Sequence, residues 1–231
     1  MTGGGAIAWV GRRVGARLAE KLAITGGLTV FFAVCWFVIP RYPLAPPRTL
    51  PLTALDRAWP FVEGWVYVYL SIGLFNVAAP YLTTARAVLH RHAWGFTAIT
   101  VVSFGCFAVF PVEMPAPTDH AATALYGLVL ADTRLNNFPS LHASYTVYGL
   151  LYWAQVLPAI PSRPARRVTG AAAGAWAAAL ILSVLFLRQH YVADLAAGGA
   201  LGALVYWLAF GLAPGTRPAS VLGVPRREVD T

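Results

Sequence analysis

The 231-residue chain is 58% hydrophobic and only 11% charged, and its mean hydropathy is +0.62. A soluble domain of this size carries roughly 25% charged residues, so too few charged side chains are present here to cover a surface in water. This composition excludes a soluble globular enzyme and a disordered chain. The net charge of +8 does not indicate nucleic-acid binding, because no basic run is interleaved with aromatic residues. We therefore expect an integral membrane protein.

Six apolar segments approach the length of about 20 residues that a helix needs to cross roughly 30 Å of hydrocarbon. In chain order they cover residues 22–39, 61–82, 94–110, 142–157, 168–187 and 191–212. We therefore predict an all-α polytopic membrane protein, a six-transmembrane-helix bundle. The first segment also has features of a signal peptide, but it is long for one and residues 39–41 form a poor cleavage site. We expect it to be retained.

Three of these segments carry further information about packing. The fourth is short and contains Ser144, Thr146 and Gln155, so we expect it to face other helices rather than lipid. The fifth and sixth are rich in Ala and Gly, which permits close helix packing. Their glycines include Gly170, Gly174, Gly198, Gly199 and Gly202.

The Lys and Arg residues are distributed unevenly between the loops of this bundle. With the N-terminus inside, 12 of the 17 lie on the cytoplasmic side. The five on the outer side are Arg41, Arg48, Arg57, Arg134 and Arg188. The positive-inside rule then places both termini in the cytoplasm. We expect a multi-pass protein of the plasma (inner) membrane with a cytoplasmic N-terminal segment (residues 1–21), a membrane domain (22–212) and a cytoplasmic tail (213–231).

Three ionisable residues lie at the outer ends of the fourth and sixth segments, namely His142, His190 and Asp194. Ionisable residues in membrane spans are costly and mark functional sites by default. His190 and Asp194 are spaced i, i+4, which predicts that they share a helix face and hydrogen-bond. A carboxylate on one imidazole nitrogen fixes the tautomer and raises the basicity of the other nitrogen. This arrangement is typical of a nucleophilic or general-base histidine.

The residues before His142 indicate an anion site. Asn137 is a candidate N-cap and Pro139 suits a first helical turn, so the fourth helix is expected to begin there. A helix N-terminus favours a bound phosphate, and Arg134 and Arg188 add positive charge on the same side. A histidine near a span end can instead be interfacial, and a His–Asp pair can arise by chance. Both histidine elements lie at the same face of the predicted membrane domain, and this favours the functional interpretation.

The Pro-Ser-Leu-His sequence at residues 139–142 and His190-x-x-x-Asp194 resemble the second and third motifs of the type 2 phosphatidic acid phosphatase superfamily. The patterns of that superfamily are Pro-Ser-Gly-His and Ser-Arg-x5-His-x3-Asp. The sequence is most similar to the branch that contains inositol phosphorylceramide synthase. The resemblance covers roughly residues 56–198 and implies that the membrane domain is catalytic.

The resemblance implies roles for individual residues. His190 would attack phosphorus and form a phosphohistidine, and Asp194 would orient it. His142 would protonate the leaving alkoxide and then activate the acceptor. Four residues would bind the phosphate: Ser140, Asn136, Arg134 and Arg188. The resemblance implies no metal and no cofactor.

The sequence departs from the superfamily pattern in two places. Ser183 matches the Ser of the third motif, but Val184 replaces its Arg, so Arg188 would have to supply that charge. The first motif, Lys-x6-Arg-Pro, is absent, and the only lysine, Lys21, lies on the predicted cytoplasmic side. Arg41-x6-Arg48 has the spacing of the first motif but lies one outer loop too early. We interpret it as a chance match.

Three functions remain open at this point. The first is a lipid phosphatase that acts on a lipid phosphate in the bilayer with water as the acceptor. The alternative is a lipid phosphotransferase of the inositol phosphorylceramide synthase type, which would move a head group to an alcohol or lipid. A non-catalytic transporter or scaffold is the third. Of the remaining histidines, we expect His90 and His92 to be solvated in a cytoplasmic loop, and His120 has no partner by spacing.

Overall fold

The computed structural model describes residues 3–114, 125–127 and 134–211, and this part of the chain is mostly helical. The helices are α1 (Gly3–Gly15), α2 (Leu18–Val38), α3 (Ala54–Arg57), α4 (Val66–Leu70), α5 (Ile72–Tyr81), α6 (Arg86–Val109), α7 (Leu141–Val156), α8 (Arg163–Phe186) and α9 (Val192–Tyr206). Two short strands, β1 (Arg48–Thr49) and β2 (Val112–Glu113), pair in parallel. The predicted tail 213–231 and His120 lie outside the described residues.

Four helical segments in the described part of the chain are long and apolar enough to cross a membrane. They are Leu18–Arg41, Arg86–Val109, Arg163–Phe186 and Val192–Gly211, where a 3-10 turn extends α2 and a π-helical turn extends α9. These four segments agree with the predicted all-α membrane fold. The second and fourth predicted spans do not form single helices of that length.

The second predicted span is divided at Ser71. A 3-10 turn (Glu63–Trp65) and α4 precede this residue, and α5 follows it. The Ser71 hydroxyl donates to the Val68 carbonyl oxygen at 2.6 Å and accepts the Trp176 indole N–H at 2.9 Å. Serine hydroxyls that bond the preceding turn compete with the helix hydrogen bonds. The break therefore coincides with a local serine hydrogen bond, and the same hydroxyl contacts α8.

The helix α7 occupies the centre of the bundle. Its 16 residues extend about 24 Å at 1.5 Å rise per residue, less than the roughly 30 Å of a bilayer core. Ser144, Thr146 and Gln155 are all buried. The prediction that this segment faces other helices is confirmed.

Aromatic side chains form much of the core around α7. The hydroxyl groups of its three buried tyrosines all have partners. Tyr145 and Tyr152 share hydrogen bonds of 2.7 Å with Thr100 and Thr83. Tyr148 donates to the His92 carbonyl oxygen at 3.0 Å. These contacts join α7 to α6 and to the end of α5, and they satisfy polar atoms within an apolar interior.

The helix α9 packs directly against the backbone of α7. A Cβ atom added at Gly198 would overlap the Ser140 carbonyl oxygen, and one added at Gly202 would overlap that of Ser144. Gly199 is different, because an added Cβ would lie 3.6 Å from Val147, an ordinary van der Waals distance. Small residues therefore permit the close approach at two successive turns of α9.

The prediction that His90 and His92 lie in a loop is wrong, because α6 already begins at Arg86. His92 is only 5% exposed, and its ring packs against that of Tyr152 with the centroids 4.4 Å apart. His90 is exposed and bonds Glu20 at 2.7 Å. A helix that begins earlier turns His92 inward and His90 outward.

Candidate active site

The candidate residues lie at the end of the bundle where α2, α6 and α8 end and α7 and α9 begin, which we call the histidine end. The starts of α7 and α9 are bonded to each other, because the Ser140 N–H donates to the Asp194 carbonyl oxygen at 3.1 Å. His142 lies in the first turn of α7, and His190 precedes α9. Both histidines line one cavity of about 500 Å³. The structure therefore brings together the two histidines that the sequence places at one end of the bundle.

The two ring nitrogens of His190 have different surroundings. Nδ1 lies 3.1 Å from the Asn137 carbonyl oxygen and 3.5 Å from Asp194 Oδ2. Since a carbonyl oxygen only accepts hydrogen bonds, Nδ1 carries the proton and donates it. The lone pair then lies on Nε2, in a side chain that is only 8% exposed and lines the cavity. The geometry leaves an available imidazole nitrogen in a largely enclosed position.

Asp194 is fully buried in the first turn of α9. Its Oδ2 accepts the Tyr191 N–H at 3.0 Å and is the oxygen nearest to His190. The prediction that His190 and Asp194 share a helix face is wrong, because His190 lies before the helix begins. The chain instead turns through Tyr191, and this turn brings the carboxylate beside Nδ1. A carboxylate in this position stabilises positive charge that develops on the ring.

His142 is held by the segment that precedes α5. Its Nε2 lies 3.0 Å from the Tyr69 carbonyl oxygen and donates to it. The His142 ring also stacks on the Tyr69 ring, with centroids 3.9 Å apart and an interplanar angle of 18°. These two contacts fix the ring and leave Nδ1 for proton transfer.

The start of α7 differs from the prediction. Ser140, rather than Asn137, is the N-cap residue, because its hydroxyl accepts the Ala143 N–H at 3.3 Å. Pro139 therefore lies outside the helix. The Asn137 side chain donates to the Val112 and Arg134 carbonyl oxygens at 3.0 and 2.9 Å. These bonds hold the loop that presents the Asn137 carbonyl to His190.

The four residues expected to bind phosphate fall into two pairs. Arg134 and Asn136 line the cavity together with the histidines. Ser140 is buried as the cap of α7, and Arg188 donates to the Trp59 carbonyl oxygen at 3.2 Å. Neither of this second pair lines the cavity.

Arg41 lines the same cavity, whereas the sequence interpretation assigned it to chance. Arg48, its partner in the Arg41-x6-Arg48 spacing, belongs instead to β1 and its guanidinium lies over the Phe110 ring. Arg41 follows α2 in a 3-10 turn. Of the two arginines in the Arg41-x6-Arg48 spacing, only Arg41 therefore lines the cavity.

Asp56 is a second residue that sequence reasoning missed. Its Oδ1 accepts the Val192 N–H at 2.7 Å, and its Oδ2 accepts the Thr53 N–H at 2.8 Å. Burial raises the pKa of the Asp56 carboxyl. Hydrogen bonds from the Thr53 side chain and from the Val192 N–H lower the pKa by more than burial raises it, so the net pKa is below its ordinary value. Asp56 thus attaches the loop after α2 to the start of α9, two residues from His190. No local motif contains this contact.

Within residues 3–114, 125–127 and 134–211, no three His, Cys, Asp or Glu side chains are arranged to hold a metal ion. No protein-family model, curated protein or solved structure matches this chain.

Proposed function

We propose that this chain is a membrane enzyme of the type 2 phosphatidic acid phosphatase superfamily that cleaves a lipid phosphate ester through a phosphohistidine on His190. One observation carries the proposal. The His190 Nδ1 proton is donated to the Asn137 carbonyl oxygen, which leaves the lone pair on Nε2, and His190 lines a cavity together with His142.

In the first step, His190 Nε2 attacks phosphorus and the bond between phosphorus and the lipid oxygen breaks. The departing alkoxide takes a proton from His142, which must be doubly protonated at that moment. Because His142 Nε2–H is bonded to the Tyr69 carbonyl oxygen, the transferred proton comes from Nδ1. Asp194 stabilises the charge on the phosphorylated imidazole.

In the second step, a water molecule attacks the phosphohistidine. His142 Nδ1, now deprotonated, takes a proton from that water, and the bond between phosphorus and His190 Nε2 breaks. Inorganic phosphate leaves, and both histidines return to their starting states. If an alcohol enters in place of water, the same two residues complete a transfer reaction, which is the lipid phosphotransferase alternative.

Arg134, Asn136 and Arg41 would neutralise and orient the phosphate, since all three line the cavity with the histidines. Guanidinium groups bind phosphate oxygens with charge-assisted hydrogen bonds. Arg41 would thereby supply part of the charge that the absent first motif provides in the superfamily. Arg188 would act indirectly, by holding the Trp59 loop.

The proposed membrane arrangement has six passes: the four long helical segments, the segment that contains α4 and α5, and the short, buried α7. Both termini would be cytoplasmic and the histidine end would face the outside of the plasma membrane. The charge asymmetry of the loops supports this orientation.

The test is an assay of purified protein in mixed micelles with a panel of lipid phosphates, an added alcohol and excess EDTA. Free phosphate and transferred lipid are measured together. We expect phosphate release that survives EDTA and is abolished in His190→Ala. His90→Ala is the matched control, because His90 is exposed at the opposite end of the bundle, and it should keep full activity. Loss of activity on chelation that zinc or magnesium restores would contradict the phosphohistidine mechanism.

A further inference from the structure

A second cavity, of about 270 Å³, lies between α2, α5 and α6, towards the end of the bundle opposite the histidines. Its walls are largely apolar and include Ile24, Leu28 and Leu89. Lys21 and His92, the two lining residues with basic side chains, lie towards that end, and Thr25, Thr29 and Asn76 add polar groups along the walls. The cavity therefore has one cationic end and walls that are mostly apolar.

Lys21 and His92 are both more than nine-tenths buried, with exposures of 2% and 5%. The Lys21 ammonium donates to the Arg13 and Tyr81 carbonyl oxygens at 2.6 and 2.7 Å. An ammonium group has three N–H donors, so one remains for another acceptor. The ring nitrogens of His92 have no hydrogen-bond partner in the described part of the chain. Two buried polar groups thus face this cavity with unused hydrogen-bonding capacity.

Among the described residues, no acidic side chain forms an ion pair with Lys21. No acidic side chain lines the cavity, and the neighbouring Glu20 carboxylate is paired with Arg86 and His90 on another side of α2. A buried charge is costly unless an opposite charge accompanies it. A ligand with a single negative charge would match the single buried ammonium.

We propose that this cavity binds a long-chain fatty acid, with its carboxylate on Lys21 and beside His92 and its hydrocarbon chain along α2. A carboxylate fits better than a phosphate monoester, because it carries one charge and the cavity offers one ammonium. The apolar walls accept the chain through the hydrophobic effect.

The hydrocarbon chain extends towards the histidine end. Phe32, Ile72 and Tyr145 line both this cavity and the cavity that contains His142 and His190. Lys21 and Phe32 are 11 residues apart on one helix, which corresponds to about 16 Å along its axis. The carboxylate of the fatty acid is therefore remote from the reacting histidines, while the end of its chain approaches the wall that the two cavities share.

The experiment is photo-crosslinking of the full-length protein in phosphatidylcholine vesicles with a palmitic acid that carries a diazirine on its chain. Peptide mapping should locate the label within residues 21–32 or 72–81. Unlabelled palmitate should compete at least about tenfold more strongly than hexadecanol, which has the same chain without the charge.

Two glycine variants separate binding in this cavity from general membrane partitioning. Gly73 lines the cavity, and a Cβ atom added there meets no atom within 4 Å, so Gly73→Leu should fill the cavity without disturbing the fold. Labelling should fall about tenfold. Gly105→Leu is the matched control, because Gly105 is also open but does not line the cavity, and it should label normally.

The charge is tested with Lys21→Met and Lys21→Arg. The first should remove the preference for palmitate over hexadecanol, and the second should retain it. Equal competition by palmitate and hexadecanol in the unmodified protein would overturn the proposal, as would normal labelling of Gly73→Leu. A Gly73→Leu variant that labels normally but has a raised KM for long-chain lipid phosphates would show that the cavity holds the substrate tail instead.

Discussion

His190 and Asp194 illustrate how single atoms determine the proposed chemistry. Nδ1 of His190 is bonded to a backbone carbonyl oxygen, so its tautomer does not depend on Asp194. The carboxylate lies 3.5 Å away from Nδ1 and acts on the charge of the ring rather than on its orientation alone. Asp194 is therefore expected to matter for the rate more than for the structure.

Asp194→Asn tests this role. An asparagine side-chain oxygen can still accept the Tyr191 N–H, so we expect little change in the melting temperature. The rate should fall by about a hundredfold or more, because the imidazolium loses its negative partner. Measured turnover and thermal unfolding in the same detergent separate the two effects. A near-normal rate would contradict the assignment.

Asp56→Asn should instead affect stability in a pH-dependent way. The pKa of the Asp56 carboxyl is lowered in the folded protein, because hydrogen bonds from Thr53 and Val192 outweigh its burial. The ionised group therefore stabilises the fold at pH values above the unfolded pKa, and this stabilisation is lost as the pH falls through the folded pKa. At neutral pH the variant should lose about 1.5–3 kcal/mol of stability, the usual effect of a hydrogen bond to a charged group.

Thermal unfolding at about pH 7 and about pH 3 measures this dependence, since an ordinary aspartate titrates near pH 3.9. The difference in melting temperature between Asp56→Asn and the unmodified protein should be smaller at about pH 3 than at about pH 7. Glu113→Gln is the control, because the carboxylate of Glu113 has no hydrogen bond to the described residues. An equal difference in melting temperature at both pH values would show that the charge of Asp56 is not involved.

At the level of residues, sequence reasoning could find the histidines and Asp194 but not the backbone carbonyl groups that bond the histidine rings. Asn137 and Ser140 are equally good N-cap residues, and only the Ala143 N–H contact distinguishes them. Asp56 and Val192 are 136 positions apart, and no local pattern predicts such a contact. The same holds for Tyr69, which is 73 positions from His142.

The packing of α9 on α7 is the element-level feature that the sequence indicated most directly. Gly198 and Gly202 permit backbone contact, and a side chain at either position has no space. The glycine at position 199 has space. An alanine substitution should therefore lower the stability at positions 198 and 202 but not at position 199.

Gly202→Ala should destabilise the protein by about 1–3 kcal/mol, because the added methyl group forces α9 away from the rigid Ser144 backbone. Gly199→Ala provides the control within the same helix. It gains the same helix propensity, about 1 kcal/mol, without the overlap, so its melting temperature should stay equal or rise. Equal effects of the two substitutions would contradict the close packing.

Hydropathy alone could not give the lengths of the helices. Residues 61–82 are mostly apolar, yet the helix is interrupted at Ser71, whose hydroxyl bonds the Val68 carbonyl oxygen and the Trp176 indole. Residues 142–157 are apolar because they are buried in protein, and their helix is shorter than a lipid-facing one requires. A hydropathy pattern does not distinguish burial in lipid from burial among helices. The burial of His92 was missed for another reason, because α6 begins at Arg86, before the apolar segment itself.

The proposed orientation of the whole molecule is tested by cysteine labelling. In a variant without Cys35 and Cys106, single cysteines replace Leu44 and Arg163, which are both exposed at opposite ends of the bundle. An impermeant thiol reagent on intact cells should label the cysteine at position 44 and not the one at 163. After permeabilisation both should react. The reverse pattern on intact cells would invert the proposed topology and place the histidine end in the cytoplasm.

The proposed activity of the whole molecule requires one covalent intermediate, a phosphohistidine at His190. Reaction of the purified protein with a lipid phosphate labelled in the phosphate, followed by rapid denaturation at alkaline pH and peptide mapping, measures it directly. A substrate with a good leaving group is used, because it needs little protonation by His142.

We expect acid-labile phosphate on His190, its absence in His190→Ala, and its accumulation in His142→Ala, in which nothing activates the water. Phosphate that is still trapped in His190→Ala, or no trapped phosphate in His142→Ala despite substrate binding, would contradict the assignment of His190 as the nucleophile.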